Sequence, residues 1–155
     1  MTSKKINPIT EEEMESWPSE PLVNLQKPFV DKRGSIQPLV DLMMKSAVMI
    51  NSKAGSLRAN HYHKTDWHYC YVISGKIEYF HRDYGSKKEA ELIMVEKGNM
   101  IFTPPMVEHC MKFPEDTLFL TLSRNPRDQE TYEADVVRVN LVDPNDSITW
   151  NPNEK

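Results

Sequence analysis

Short β-forming runs broken by turn chemistry recur about every ten residues from position 35 to position 142. This spacing constrains the chain more than any other feature. The runs fall at 35–39, 47–51, 57–63, 67–74, 76–82, 91–96, 100–103, 108–113, 118–123 and 136–142. The breaks carry residues that turn the backbone: Asp31-Lys-Arg-Gly34, Ser74-Gly75, Asp83-Tyr-Gly85-Ser86, Lys97-Gly98-Asn99, Pro104-Pro105, Pro114-Glu-Asp116 and Asn125-Pro126. Short strands at this spacing pack as an antiparallel sandwich or barrel, so the expected fold is all-β. No helical stripe is long enough for an α/β protein, and no segment repeats or is of low complexity. One short helix is expected at 10–17, where Thr10 and Glu13 have capping-box spacing.

The chain has 155 residues and 18.1 kDa, which fits one domain. We divide it into an N-terminal arm at 1–28, a β domain at 29–142 and a turn-rich tail at 143–155. The arm is expected to be ordered where it docks, and the tail to be loose unless Trp150 finds a pocket. A mean hydropathy of −0.61 and the lack of any long apolar run argue against a membrane partner. The first residues have no apolar stretch of the secretory kind. A net charge of −4 disfavours a nucleic-acid partner, because tracking phosphates needs clustered Lys and Arg. Two cysteines, Cys70 and Cys110, do not make a disulfide framework, so both are expected as free thiols and the cytoplasm as the compartment.

Chemistry concentrates in the histidines. Three of the five lie in His61-Tyr-His63-Lys-Thr-Asp-Trp-His68. Positions two apart on a strand face the same way, so His61 and His63 share a face. A turn at 64–66 then brings His68 beside them on the next strand. Neutral imidazoles converging on one face suit Zn, Ni, Fe or Cu rather than Mg or Ca. Cys70 shares the inward face of His68 and is read as a small buried residue. Met111 lines the same cavity as His109. Glu108 and Cys110 turn outward, and His81, outside the pattern, is read as a surface residue. Trp67, Tyr69, Tyr71, Tyr79 and Phe80 read mainly as core or dimer-face packing.

The longer spacing runs Gly55, five residues, His61-x-His63, four residues, His68, six residues, Gly75. It is followed by Gly98, five residues, Pro104-Pro105-Met106-Val107-Glu108-His109. This resembles the two signature motifs of the cupin superfamily. His68 stands where that family usually has Glu, Met106 where it has Gly, and Phe113 where it has Asn. The resemblance implies a double-stranded β-helix, a jelly-roll-like barrel. It also implies a divalent transition metal (Zn, Ni, Fe or Cu) held in the barrel mouth by His61, His63, His68 and His109. An all-imidazole set leaves the metal site less anionic than the usual one.

Two segments narrow the resemblance. Asn60-His61-Tyr62-His63 is similar to the cupin module of capsular-polysaccharide enzymes acting on nucleotide-linked sugars. Asp31-Lys-Arg33-Gly34 is similar to the opening of RmlC-like and WxcM-like epimerases and ketoisomerases. The function so implied is isomerisation or epimerisation of a keto-sugar in carbohydrate biosynthesis, with a small-molecule partner of the sugar-nucleotide kind and the metal as Lewis acid. Arg33, Arg58 and Lys64 are candidates to meet a diphosphate. The catalytic base is not identifiable from sequence. Two alternatives stand beside this: a metal-dependent dioxygenase or other oxidoreductase cupin, and a non-catalytic cupin that binds a metal or small ligand. A homodimer formed by strand addition or arm exchange is expected, because it hides a free sheet edge.

Overall fold

The computed structural model describes residues 6–151. The ends of the expected arm and tail, residues 1–5 and 152–155, lie outside the described residues. In chain order the elements are α1 (Glu11–Glu15), β1 (Phe29–Asp31), β2 (Gly34–Ile36), β3 (Ser46–Ser52), β4 (Leu57–His63), β5 (His68–Ser74), β6 (Lys76–Asp83), β7 (Glu91–Glu96), β8 (Met100–Thr103), β9 (Val107–Lys112), β10 (Thr117–Ser123), α2 (Gln129–Asp135) and β11 (Val136–Arg138).

Two antiparallel sheets face each other, with strand orders β3-β10-β5-β8 and β11-β4-β9-β6-β7. β1 and β2 make a separate hairpin. Alternation fills the space between the sheets. Cys70 and Val72 of β5, Ile77 and Tyr79 of β6, Val95, Ile101, Met111 and Phe119 meet there with Phe113 in one buried cluster. Burial of this much apolar surface drives the closure. Phe113 therefore serves the core, stacked on Phe119 at 5.6 Å. Gly75 closes the β5–β6 turn at φ +91°, with the Asp116 carbonyl and Thr117 packed where a Cβ would sit.

The outer face of the first sheet is covered by the chain's own N-terminal part. Trp67, Tyr69, Met100 and Phe102 pack there against Ile9, Trp17, Val23 and Leu25. The helix in this segment forms as its capping box requires: the Thr10 hydroxyl accepts from the Glu13 N–H at 3.1 Å, and the Glu13 carboxylate accepts from the Thr10 N–H at 2.8 Å. Glu13 also receives the Trp67 indole N–H at 3.1 Å and an ion pair from Arg124. Burial raises the Glu13 carboxyl, but the bonds from Arg124, Thr10 and Trp67 outweigh it and hold the group at about 2.

The structure departs from the sequence reading in four places. The strand expected at 136–142 stops at Arg138. A strand at Phe29–Asp31 precedes the turn, and the one after it ends at Ile36. A seven-residue helix, α2, occupies a stretch that shows no strand pattern. His81 is not a surface residue: it sits opposite His109 on β6, stacked on Tyr79, with its side chain only 16% exposed. The cause is parity, since His81 is two and four residues past the inward Tyr79 and Ile77. No helix among the described residues is long and apolar enough to cross a membrane.

Candidate functional site

The barrel opens into a pocket of about 990 Å³ lined by all four motif histidines. His61 and His63 come from β4, His68 from β5 and His109 from β9. All four are buried. Their placement depends on a bulge in β4. Ala59 pairs with Cys110 and His61 with the very next β9 residue, His109, so Asn60 is an extra residue. Ala59 and Asn60 both adopt left-handed φ, at +67° and +62°. The insertion changes which positions face the pocket. Arg58 lies opposite the inward Met111, whereas His61 lies opposite the inward His109.

The ring of His61 is 4.8 Å from those of His63 and His109, and His68 is 5.4 Å from His63 and 5.6 Å from His109. The four therefore gather on one wall, but they divide into two tighter groups. Ligand atoms of His61, His63 and His109 lie within 4.8 Å of one another, and so do those of His63, Asp66 and His68.

Three of the rings are fixed from behind. His63 Nδ1 lies 3.3 Å from Asp135 Oδ2, His68 Nδ1 3.2 Å from Asp66 Oδ2, and His109 Nδ1 2.9 Å from the Val107 carbonyl. A carbonyl or carboxylate accepts, so each Nδ1 carries a proton, and in the neutral ring Nε2 is left with the lone pair. Burial holds His61, His68 and His109 below the ordinary imidazole value. Neighbouring imidazoles add to the effect at His61 and His109, and Asp66 opposes it at His68. Neutral rings with free lone pairs, carboxylates behind two of them and three nitrogens in close reach fit a divalent transition metal. His61, His63 and His109 would hold it, with His68 alongside.

Asp135 is the hub of the wall. Its carboxylate also accepts from Thr65 N–H at 2.9 Å, Thr65 hydroxyl at 2.6 Å and Asp66 N–H at 3.0 Å. Burial pushes its carboxyl up, but these bonds and His63 bring it down to about 2. Asn125 braces both acids: its N–H donates to Asp66 at 2.9 Å, and its side-chain amide donates to Asp135 Oδ2 at 3.4 Å and to Thr65 Oγ1 at 3.0 Å. One turn before Asp135, Tyr132 sets its ring 5.6 Å from His63 and 6.1 Å from His61. Burial raises its phenol. The Arg127 guanidinium lies 3.7 Å over the same ring.

Sequence reasoning misses Tyr132, Asp135, Arg127 and Arg138, all of which line the pocket. The available signal is Asp128 followed by Gln-Glu-Thr-Tyr-Glu-Ala, an N-cap with helix formers after it. Of the diphosphate candidates, Arg58 lines the pocket, while Arg33 is exposed and paired with Asp31 and Lys64 lines a separate shallow depression. Cys70 lines the pocket as a buried residue beside Thr121, its thiol pushed up to about 12 by burial. Glu108 turns outward to Arg82 at 2.5 Å.

No known family profile and no curated protein matches the chain. Solved structures do match. The sugar 3,4-ketoisomerase QdtA from Thermoanaerobacterium thermosaccharolyticum, in complex with TDP, superposes with a TM-score of 0.63 at 20% identity, over 77% of this chain and 87% of that one. The dTDP-4-dehydrorhamnose 3,5-epimerase from Sulfolobus tokodaii gives 0.63 at 17% identity, over 84% and 91%. The capsular polysaccharide assembling protein CapF from Staphylococcus aureus gives 0.56 at 22%, over 78% of this chain and 32% of that one. The fold is thus a cupin barrel. The likeness is one of fold, an antiparallel β-barrel shared with these ketoisomerase and epimerase structures.

Proposed function

We propose that this chain isomerises or epimerises a keto-sugar carried on a nucleotide. The observation that carries the reading is the His63–Asp135 pair set opposite Tyr132 in a pocket that also holds Arg58, Arg127 and Arg138. Neighbours of the same fold include a sugar 3,4-ketoisomerase, a variant of which holds TDP-4-keto-6-deoxyglucose, and a dTDP-4-dehydrorhamnose 3,5-epimerase. An imidazole whose Nδ1–H is held by a carboxylate is a general base at Nε2. His63 Nε2 takes the proton from the carbon next to the carbonyl. The C–H pair becomes the carbon–carbon double bond, and the carbonyl π pair moves onto oxygen. For epimerisation the Tyr132 hydroxyl returns a proton to the same carbon from the opposite face. For isomerisation the enolate oxygen takes up a proton to give the enediol, and as the hydroxyl on the former α carbon gives up its proton and becomes the new carbonyl, the Tyr132 hydroxyl protonates the former carbonyl carbon. The guanidiniums of Arg127 and Arg138 meet the diphosphate.

The close approach of the three nitrogens supports a metal-dependent form of the same reading, with Zn, Ni, Fe or Cu on His61, His63 and His109 and with His68 alongside as the fourth imidazole. Such a metal supplies Lewis-acid stabilisation of the negative oxygen. In that form His63 is a ligand, Asp135 fixes its tautomer, and proton transfer falls to Tyr132. Elemental analysis of the protein as purified separates the two forms. Incubation with nucleotide-linked keto-sugars in D2O tests both: deuterium should enter the carbon next to the carbonyl, in air and under nitrogen alike. No exchange with any such sugar overturns the reading, and turnover that needs O2 replaces it with the oxidative one.

A homodimer belongs to the same proposal. Phe29, Val30 and Ile36 are exposed on the β1–β2 hairpin, at 60%, 67% and 64%. A free two-stranded edge with this much apolar surface favours a second copy. Size-exclusion chromatography of the full chain should give about twice 18.1 kDa; a clean monomer overturns it.

A further inference from the structure

We infer that Asn60 is a positioning residue that couples the segment at 139–150, which crosses the pocket mouth, to the aim of His61 and His63. The inference takes the pocket to be the working site, and is independent of which reaction occurs there. Three observations meet at this residue. First, Asn60 is the extra residue of the β4 bulge. Without it, Asn60 would stand opposite His109, and His61 would stand opposite the outward Glu108. A one-residue slip in a strand sends every later side chain to the other face. Both histidines of β4 therefore point into the pocket only while the bulge persists.

Second, the bulge is held in a conformation that Ala59 does not favour. Ala59 and Asn60 are consecutive non-glycine residues with left-handed φ. Asn tolerates that region and Ala does not. Conformations of this kind persist where surrounding structure over-determines them.

Third, what over-determines this one is the segment after β11. The Asn60 amide donates to the Val142 carbonyl at 2.8 Å, and its Oδ1 accepts from the Val142 N–H at 3.0 Å. The Asn60 carbonyl accepts from the Val139 N–H at 2.9 Å. One residue thus closes three bonds to the segment, two of them with its side chain acting as a strand would. Further along, Ile148 exchanges bonds of 2.9 Å with Gly55 and Leu57. Pro144, Ile148, Thr149 and Trp150 of this segment line the pocket. Seating the segment over the mouth and facing His61 inward are one event.

Substitutions at Asn60 separate the clamp from the backbone strain. Asn60→Gly frees the left-handed backbone and deletes the clamp; Asn60→Asp keeps the Val142 N–H acceptor and deletes the donor. Val142→Pro removes the opposing N–H without touching β4, and covers the case that an Asn60 variant fails to fold. Two readouts are taken on the full chain: amide hydrogen exchange at Val139 and Ile148, and the visible spectrum with cobalt(II) as probe. In Asn60→Gly and Val142→Pro, exchange at both amides should speed up at least about tenfold while Val72 and Val95 in the core stay protected. The cobalt spectrum should lose intensity as His61 leaves, and Asn60→Asp should recover part of both signals. Wild-type exchange in Asn60→Gly overturns the clamp. Faster exchange with an unchanged cobalt spectrum overturns the coupling. A wild-type protein that takes up no cobalt removes the metal-dependent form of the proposed function only. The coupling is then read from the His61 ring signals in NMR, and unmoved signals in Asn60→Gly overturn it.

Discussion

Asp135, the last residue of α2, places Oδ2 3.3 Å from Nδ1 of His63, which lies 72 positions earlier in the chain. Because Asp135 is ionised far below neutrality, its demand for a proton donor fixes the His63 tautomer. Asp135→Asn can offer its NH2 instead, which turns the ring and puts the proton on Nε2. Removing a carboxylate behind an imidazole costs roughly 10- to 100-fold in activity or metal affinity. We expect a loss of that order with the fold intact, read as deuterium exchange into a keto-sugar nucleotide. Unchanged exchange by a well-folded variant would show that His63 works without its partner.

Two glycine positions of the motifs, one filled by Met106 and one kept as Gly75, lead to opposite predictions. Met106 occupies a motif glycine position and takes the conformation a glycine would, φ +62°, while its N–H donates to the His63 carbonyl at 2.8 Å. The turn before His109 is thus tied to β4 despite the side chain. Met106→Gly relieves a left-handed residue that costs about 1 kcal/mol, partly offset by the entropy of glycine. Its melting temperature should rise slightly; a fall would mean that the half-exposed side chain packs to more effect than its burial shows. Gly75→Ala should do the reverse. Positive φ combines there with a Cβ that meets the Asp116 carbonyl. A loss of more than about 2 kcal/mol is expected in urea unfolding.

Strand alternation was enough to place much of this site. His61 with His63, and Cys70 with His68, share faces as period-two reading requires, and the motif spacing brings His109 to the same wall. The β4 bulge was not legible, because no glycine marks it; Asn60 and Ala59 carry the left-handed turn through tertiary bonds to residues 139 and 142. Asp135 and Tyr132 were hidden for a related reason. A seven-residue helix gives too few turns for a hydrophobic stripe, and the partners that show its purpose lie on β4. His81 lies outside the motifs, and only its parity with Ile77 and Tyr79 marks it as facing inward.

Burial also decides the thiols. Cys70 and Cys110 are 2% and 0% exposed, and burial pushes each thiol up to about 12. The thiolate is the reactive form, so both should resist an alkylating reagent at pH 8 in the native protein and react at once in denaturant. Rapid labelling of native Cys70 would mean that the pocket opens wider than its geometry indicates.

The last prediction concerns the contact that pins the N-terminal segment to the barrel. Glu13 joins α1 to Trp67, the residue before β5, and to Arg124, the residue after β10. Its carboxyl titrates at about 2 in the folded protein against an ordinary value of 4.5. A depressed carboxyl contributes stability above its unfolded value, and that contribution is lost as pH falls from about 4.5 toward 2. Since its side chain is 22% exposed, solvent screening reduces the effect to about 2 kcal/mol. Glu13→Gln should therefore be less stable than the parent at pH 7, with the two curves converging by pH 2. The variant should also expose Trp67, seen as a red shift of fluorescence, because Ile9 and Trp17 are held over that ring by the same segment. A constant gap between the curves from pH 7 to pH 2 would show that the side chain acts by packing rather than by charge.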